Sequence, residues 1–206
     1  MGLKAVFDKM RYCTDCEICS MNVNIFDPQL GNGKLEGWGK GRIMFVAQNP
    51  SVYRCKNCLT PVDDGISKEF VDTLISLGLP AEHIYFTNVV KCSTPVNRVP
   101  EFDEINQCMK WLKKEIRYIK PLLLVGVGRV ARDSLIASTY EGIPIMGVQH
   151  PSYIERTGGY KEYSKQLKEV ISVAWEKLGS RDRGLMETKV RQRNGTSRES
   201  SVRSEV

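Results

Sequence analysis

The sequence predicts an α/β fold of three layers (α/β/α), in which helices cover both faces of a central, mostly parallel, four-stranded sheet. Two observations predict this architecture. Strand-like and helix-like segments alternate between residues 42 and 178, and the strand-like segments are nearly continuous apolar runs. Continuous apolar strands are typical of parallel sheets that are buried on both faces, whereas a strand with one wet face alternates apolar and polar residues.

Four strands are predicted from short apolar runs. The first run ends at the turn signal Asn49-Pro50-Ser51. The last run contains Pro144, which has no N–H for a ladder hydrogen bond, so this strand is expected at a sheet edge or with the proline at its start. The four predicted strands span residues 42–47, 84–90, 122–125 and 143–148.

Four helices are predicted where apolar residues recur with helical spacing after each strand. The first has Ser67 as its N-cap and Gly78 as its stop, and the second opens just after Pro100. The four predicted helices span about residues 67–78, 102–119, 129–137 and 160–178.

Composition limits the class of protein. The chain of 206 residues is long enough for one domain with a buried core, and 41% hydrophobic with 26% charged residues is typical of a globular protein. The longest apolar run, residues 122–127, is far below the roughly 20 residues needed to cross a bilayer. Met1-Gly2-Leu3-Lys4 lacks the apolar core of a signal peptide. We therefore expect a cytoplasmic protein without membrane contact, and we expect a monomer.

The net charge of +6 permits a polyanionic partner, and half of it lies at the end of the chain. Residues 180–206 contain seven basic and four acidic residues and no apolar periodicity. Such a segment buries too little apolar surface to offset its ordering entropy. Residues 1–179 are therefore predicted to form the domain and residues 180–206 a basic, disordered tail. A solvated tail without a role and an electrostatic tether for nucleic acid are both open interpretations.

Polar segments follow three of the predicted strands. They are Gln48-Asn49-Pro50-Ser51, Asn88 and His150-Pro151-Ser152. Ligands of open parallel sheets bind beyond the carboxyl ends of the strands, so these segments are predicted to converge on one site. Gly126-Val127-Gly128 also follows a strand, but it lacks the third glycine of a dinucleotide-binding loop and is not assigned.

Seven cysteines cannot all pair, and in a reducing compartment several at short spacings indicate metal or cluster ligation. One close pair with two distant thiolates can hold a four-iron cluster. Two C-x-x-C pairs could instead form a tetrahedral zinc site, and the two isolated cysteines could be buried small hydrophobes. Spacing leaves these alternatives open. The cysteines are the pairs Cys13/Cys16 and Cys55/Cys58, with Cys19, Cys92 and Cys108.

The segment from Tyr85 to Pro100 resembles the T-N-x-V-K-C-x-P-P-x-N-R-x-P signature of family 4 of the uracil-DNA glycosylase superfamily, the iron–sulfur family of bacteria and archaea. His150-Pro151-Ser152-Tyr153 is similar to that family's H-P-S-Y segment, and the similarity runs from about Cys13 to Leu178. The resemblance implies the fold of that superfamily. It also implies a monofunctional DNA-repair glycosylase that hydrolyses the N-glycosidic bond of uracil in flipped nucleotides and leaves an abasic site.

The resemblance further implies a structural [4Fe–4S] cluster, with the N-terminal segment of the domain contributing two ligands. The implied ligands are Cys13, Cys16, Cys92 and Cys108, while Cys19, Cys55 and Cys58 fall outside the pattern.

The first motif departs from the family. Ala47-Gln48-Asn49-Pro50-Ser51 stands where family 4 has G-E-A-P-G, and it combines features of the G-Q-D-P-Y and G-x-N-P-G motifs of related families. The family's uracil-stacking aromatic residue has no obvious counterpart in the loop beyond, where Tyr53 is the nearest aromatic side chain.

Roles on the base follow from the resemblance and from hydrogen-bond chemistry. Asn88 would offer its amide oxygen to N3–H and its amide nitrogen to O4 of uracil, a pattern that cytosine reverses. His150 would donate toward O2 of the leaving base, and Asn49 would hold the attacking water through an amide, which is a weaker base than a carboxylate. Gln48 would contribute its backbone amide. Tyr53 would stack on the base or crowd a C5 methyl group.

Phosphate contacts would come from Ser51, Ser152 and nearby backbone N–H groups, with Arg98, Lys91 and Arg156 adding positive charge. The implied partner is DNA that contains uracil, and other deaminated bases such as hypoxanthine would be further substrates. The alternative function is an iron–sulfur nucleic-acid-binding protein of the same fold that is catalytically weak or inactive. A zinc-ribbon α/β binding module is the third interpretation.

Overall fold

The computed structural model describes residues 2–21, 37–51, 65–138, 140 and 142–179. The predicted tail at residues 180–206 lies outside the described residues, as do Tyr53, Cys55 and Cys58. The helices are α1 (Leu3–Arg11), α2 (Glu17–Met21), α3 (Gly65–Ser76), α4 (Phe102–Ile119), α5 (Arg129–Ala137), α6 (Pro151–Thr157) and α7 (Tyr160–Leu178). The strands are β1 (Trp38–Gly39), β2 (Ile43–Ala47), β3 (Ile84–Asn88), β4 (Leu123–Val127) and β5 (Ile145–Val148), and short 3-10 turns occupy Ala81–His83 and Pro95–Asn97.

The described strands form one sheet in the order β1-β3-β2-β4-β5. β2 pairs in parallel with β3 and β4, and β4 pairs in parallel with β5, whereas β1 is antiparallel to β3. The predicted α/β class and the mostly parallel sheet are confirmed. The predicted count of four strands is wrong by one, because the two residues of β1 are too few to leave an apolar pattern. β5 lies at a sheet edge, and Pro144 immediately precedes it, as its missing N–H indicated.

Apolar clusters on both faces of the sheet explain the continuous apolar strands. Every residue of β2, β3 and β4 is buried. Met44 and Leu124 belong to a cluster with residues of α1, α4 and α5. Phe45 and Val125 belong to a second cluster with residues of α3 and α7. Since successive side chains of a strand point to opposite faces, each strand must be apolar on both of its sides.

Two glycines allow α5 to pack closely on the sheet. Gly126 of β4 pairs with Gly147 of β5, and both lie against Arg132 of α5. A Cβ atom added to Gly126 would stand only 2.5 Å from the Cα atom of Arg132. The glycine at this strand position therefore sets how near α5 comes to β4.

Helix boundaries agree with the sequence wherever apolar periodicity is long. α4, α5 and α7 have the predicted bounds, and α3 begins two residues before the predicted N-cap Ser67. No helix was predicted for α1, α2 or α6. The start of α6 is formed by His150 as N-cap and Pro151 as its first residue, a position where proline is favoured because its missing N–H would be unsatisfied anyway. Among the described helices, none combines the length and apolar character that crossing a bilayer requires.

Candidate active site

A cavity of about 320 Å³ opens at the carboxyl ends of the parallel strands. This volume is at the lower end of the range for pockets that hold small molecules. Its walls come from the segments that follow β2, β4 and β5, together with Asn97 from the segment after β3. The described lining residues are Gln48, Asn49, Ser51, Asn97, Val127, Gly128, Arg129, Val130, His150, Ser152, Tyr153 and Arg156.

The wall that follows β2 is an ordered network of amides. Gln48 Nε2 donates to Asn49 Oδ1 at 2.8 Å. Asn49 Nδ2 donates to Thr94 Oγ1 at 3.2 Å and to the carbonyl oxygen of Pro50 at 3.0 Å. An amide oxygen has two acceptor positions, and the contacts between described residues use one of those on Asn49. The geometry thus fixes the amide plane of Asn49 and leaves its oxygen able to accept a further hydrogen bond.

Asn88 lies next to this wall but is not among the described residues that line the cavity. It is the last residue of β3, is 3% exposed and pairs with Ala47 at the end of β2. Beyond this pair the chains stay joined, because the Val89 and Val90 amides donate to the carbonyls of Ala47 and Gln48. The predicted convergence therefore brings Asn49 and His150 to one cavity and Asn88 to the adjoining strand end.

His150 is held as a neutral hydrogen-bond donor. Its Nδ1 accepts from the backbone N–H of Ser152 at 3.2 Å, which caps α6. When Nδ1 of a neutral imidazole accepts, the proton resides on Nε2. Burial lowers the pKa of His150 below its usual value, and the positive charge of Arg156 lowers it further. At neutral pH the ring thus lines the cavity as an uncharged donor.

Cavity residues that sequence reasoning missed include Asn97 and Arg129. Arg129 begins α5 directly after Gly128, whose φ of +87° and position against the His150 ring suit glycine. The Gly-Val-Gly segment before Arg129 was the available signal, because it marks a chain that turns sharply at a strand end. Asn97 donates to Ser51 Oγ at 3.1 Å, so that the segments after β2 and β3 meet at the cavity rim.

Two side chains that were expected to add positive charge beside the phosphates, Arg98 and Lys91, form ion pairs elsewhere. Arg98 forms a bidentate ion pair with Glu104, at 2.6 and 2.9 Å, and does not line the cavity among the described residues. Lys91 is 1% exposed and pairs with Glu115 in the interior. The expectation that Lys91 adds charge to a phosphate site is wrong, because its ammonium cannot reach solvent. Ser51 and Ser152 do line the cavity.

Five cysteines gather between the α1–α2 segment, the end of β3 and α4. Cys19 Sγ lies 3.1 Å from Cys16 Sγ, 3.8 Å from Cys13 Sγ and 3.7 Å from Cys92 Sγ. The backbone N–H of Lys91 donates to Cys108 Sγ at 3.2 Å, and burial raises the pKa of the Cys108 thiol to about 12. The family resemblance implied four members of this group and left Cys19 outside its pattern, whereas the fold places Cys19 among them.

The family model described as "Uracil DNA glycosylase superfamily" matches residues 37–178, the segment that contains the five strands of the described residues. The chain belongs to the uracil-DNA glycosylase superfamily. It is similar to a protein named type-4 uracil-DNA glycosylase from Archaeoglobus fulgidus, with 32% identity over 86% of this chain and 92% of the relative. Proteins of the same name from Saccharolobus solfataricus (31% identity, 78% and 71% covered) and Thermotoga maritima (26%, 86% and 93%) are also similar.

The five cysteines that gather in this superfamily member supply the kind of ligand atom, thiolate sulfur, that an iron–sulfur cluster requires. Such clusters are held by cysteine thiolates, and among these five cysteines four are buried and Cys16 is half-buried. Across the described ranges, no three His, Cys, Asp or Glu side chains are arranged to hold a single metal ion. The donor chemistry of these side chains allows Cys13, Cys16, Cys92 and Cys108 as ligands of such a cluster.

Proposed function

We propose that this superfamily member hydrolyses the N-glycosidic bond of uracil in DNA and leaves an abasic site, as a DNA-repair glycosylase. The observation that carries the proposal is that Asn49 and His150, which are 101 positions apart in the chain, line one cavity at the carboxyl end of the sheet. Family membership and the names of the type-4 relatives support the same activity.

The reaction needs a base taken out of the duplex and a leaving group whose negative charge is stabilised. The Nε2–H of neutral His150 would donate to O2 of the departing uracil anion, a contribution worth about 3–4 kcal/mol in comparable oxyanion sites. A neutral donor suits this role, because an imidazolium would lose its Nδ1 acceptor and with it the α6 cap. The Oδ1 atom of Asn49 would orient the attacking water without removing its proton fully.

Asn88 would read the base edge from the adjoining strand end, and the cavity rim would hold the backbone of the strand. Ser51 and Ser152 would bind phosphate oxygens, with Arg129 and Arg156 of the lining adding charge, while Arg98 stays paired with Glu104. Tyr53 and Gln48 are assigned to stacking on the base and to a backbone contact with it. The phosphate contacts would position the strand without reading its sequence.

Cys13, Cys16, Cys92 and Cys108 would hold a [4Fe–4S] cluster whose contribution is structural. The cluster would tie the α1–α2 segment to β3 and α4. None of the residues assigned to the chemical step belongs to this group.

The test is excision from a labelled single-uracil oligonucleotide, followed by alkali cleavage of the abasic site. We expect cleavage with the parent chain and a loss of about 100-fold or more in Asn49→Ala and His150→Ala, because each removes a group that contacts reacting atoms. Asn106→Ala, on the exposed side of α4, and His83→Asn are the matched controls, and both should excise at the parental rate. Parental rates in the two cavity variants would reject the assignment.

The amide at Asn49 favours one alternative, an iron–sulfur nucleic-acid-binding protein of the same fold that excises weakly or not at all. An asparagine cannot act as a strong general base. Tight binding of the uracil oligonucleotide by the parent chain, without alkali-labile sites after long incubation, would establish that alternative.

A further inference from the structure

The interior of the domain contains a fully buried ion pair close to the base-reading strand end. Lys91 and Glu115 have side chains that are 1% and 0% exposed, with Nζ and Oε2 2.8 Å apart. The ammonium also donates to Thr87 Oγ1 at 2.7 Å and to the Asn88 carbonyl oxygen at 2.6 Å. Thr87 Oγ1 in turn donates to Glu115 Oε2 at 2.8 Å. All three donors of the ammonium are thus used.

Stability alone does not account for this pair. Removing two charges from water costs several kcal/mol for each ion, and apolar residues of similar volume in such places are often equally or more stable. Lysine and glutamate are among the residues least often fully buried. A function that needs the specific geometry of the pair is the alternative explanation.

The pair connects the end of β3 with α4, through a turn that is also bonded to the segment at the end of β2. Through its side chain Lys91 fixes the carbonyl of Asn88, and through its backbone N–H it contacts Cys108 of α4. Glu115, two turns after Cys108 on α4, holds the other side of the ammonium. The turn from Asn88 to Lys91 is also bonded to the end of β2 just before Asn49, through the Val89 and Val90 amides.

We propose that Lys91 is a positioning residue, which fixes Asn88 and the turn that follows it so that the Asn88 amide is held in one orientation for base recognition. This inference rests on the proposed function, in which Asn88 reads uracil. Only an ammonium supplies three diverging donors at this point; a guanidinium is planar and presents its donors in a fixed fork. A displacement of about 1 Å at a reacting centre can cost about 100-fold in rate.

The test removes the pair without leaving a buried charge. In Lys91→Met combined with Glu115→Leu, apolar side chains replace both partners, so we expect a parental melting temperature. We expect kcat on uracil DNA to fall about 100-fold with KM little changed. We also expect faster backbone hydrogen exchange in the peptide covering residues 84–92. The matched control is Lys68→Met with Asp72→Leu, which removes an exposed ion pair of α3 and should change none of these.

A folded double variant with parental kcat and parental exchange would overturn the proposal. If the double variant does not fold, Thr87→Val decides: it removes one partner of the ammonium, and a fall in kcat of about tenfold is expected, equivalent to one hydrogen bond to a charged group. Parental kcat and exchange in Thr87→Val would reject the positioning role. If the parent chain excises no uracil, the proposed function fails separately, and unchanged exchange in residues 84–92 would still overturn the role of Lys91.

Discussion

At the scale of single residues, His150 shows how local structure sets chemistry. One nitrogen of its ring caps α6 by accepting from Ser152, and that contact decides where the remaining proton of the neutral ring resides. Burial and the charge of Arg156 both favour this neutral form. The side chain is therefore prepared as a donor before any substrate binds, at no cost in reorganisation.

A pH titration tests this account of His150. Because its pKa is lowered, the ring should stay neutral as the pH falls past the ordinary histidine value near 6.5. In Arg156→Gln a positive neighbour is lost, so the pKa of His150 should rise, and protonation should begin at higher pH than in the parent. The measurement is an NMR titration of the imidazole signals, with His83→Asn used to assign them. An unchanged or lower midpoint in Arg156→Gln would show that Arg156 does not act on the ring.

At the scale of elements, the start of α4 is held by a charged cluster. Glu104 accepts from the Glu101 backbone N–H at 2.7 Å, which completes a capping box, and it also binds Arg98. The Arg98 guanidinium lowers the pKa of the Glu104 carboxyl. The Glu104 carboxylate thus accepts the hydrogen bond of a backbone N–H at the start of α4. It also holds Arg98, in the segment that leads from the cavity rim to α4.

Removing this carboxylate should weaken the fold more than the reaction. Glu104→Gln is expected to lower the free energy of unfolding by about 2 kcal/mol, because a cap and a charge-assisted hydrogen bond are both weakened. The pH dependence has a definite sign. Because the pKa of Glu104 is lower in the folded protein than in the unfolded chain, its carboxylate contributes its full stabilisation above pH 4.5, the ordinary glutamate value. This contribution is lost as the pH falls through the lower pKa of Glu104 in the folded protein.

Urea unfolding at pH 7 and at pH 3 measures both effects. The difference in the free energy of unfolding between the parent and Glu104→Gln should be smaller at pH 3 than at pH 7. Asp103→Asn, an exposed change one position away on α4, is the control. An equal difference in the free energy of unfolding at both pH values would contradict the proposed link between the ionisation of Glu104 and stability.

At the scale of the whole molecule, the five thiols connect an N-terminal segment to the family domain. Residues 37–178 match the family model, whereas Cys13, Cys16 and Cys19 precede it, and Cys19 contacts Cys92 in the segment that follows β3. The contact of α1 with α4 adds apolar packing to the same junction. The junction is therefore part of the core, with Cys13, Cys19, Cys92 and Cys108 buried in the same apolar cluster.

Replacing the cysteines one at a time distinguishes those that bind the cluster from those that only lie beside its ligands. Cys92→Ser and Cys108→Ser should lose bound iron and melt at lower temperature, because each removes an assigned thiolate ligand. Cys19→Ser should keep iron although its sulfur is the one in contact with three others. Iron and sulfide content, visible absorbance and melting temperature are the measurements. Iron retained in both Cys92→Ser and Cys108→Ser would exclude these ligands, and iron lost in Cys19→Ser would add a ligand.

The sequence was sufficient for the parts of the fold that carry long periodic patterns. Strands β2 to β5 and helices α4, α5 and α7 follow from apolar runs, and the carboxyl-end rule placed Asn49 and His150 together. β1 and α2 are too short to leave a pattern, and the start of α6 depends on one capping contact. Lys91 was misassigned because its burial depends on Glu115, which is 24 positions away in the chain and invisible to local reasoning. Arg129 was missed because the Gly126-Val127-Gly128 segment before it was left unassigned, although it marks the sharp turn that brings the start of α5 to the cavity.

The glycine at position 126 has a consequence for how sequences of relatives should be compared. Any larger residue there would push α5 outward, and α5 begins with Arg129 in the cavity wall. Relatives that have a side chain at this strand position should therefore possess a wider opening with a displaced guanidinium, and should co-vary at Gly147 and Arg132. The space at one strand position would thus set where the first residue of α5 stands in the cavity wall.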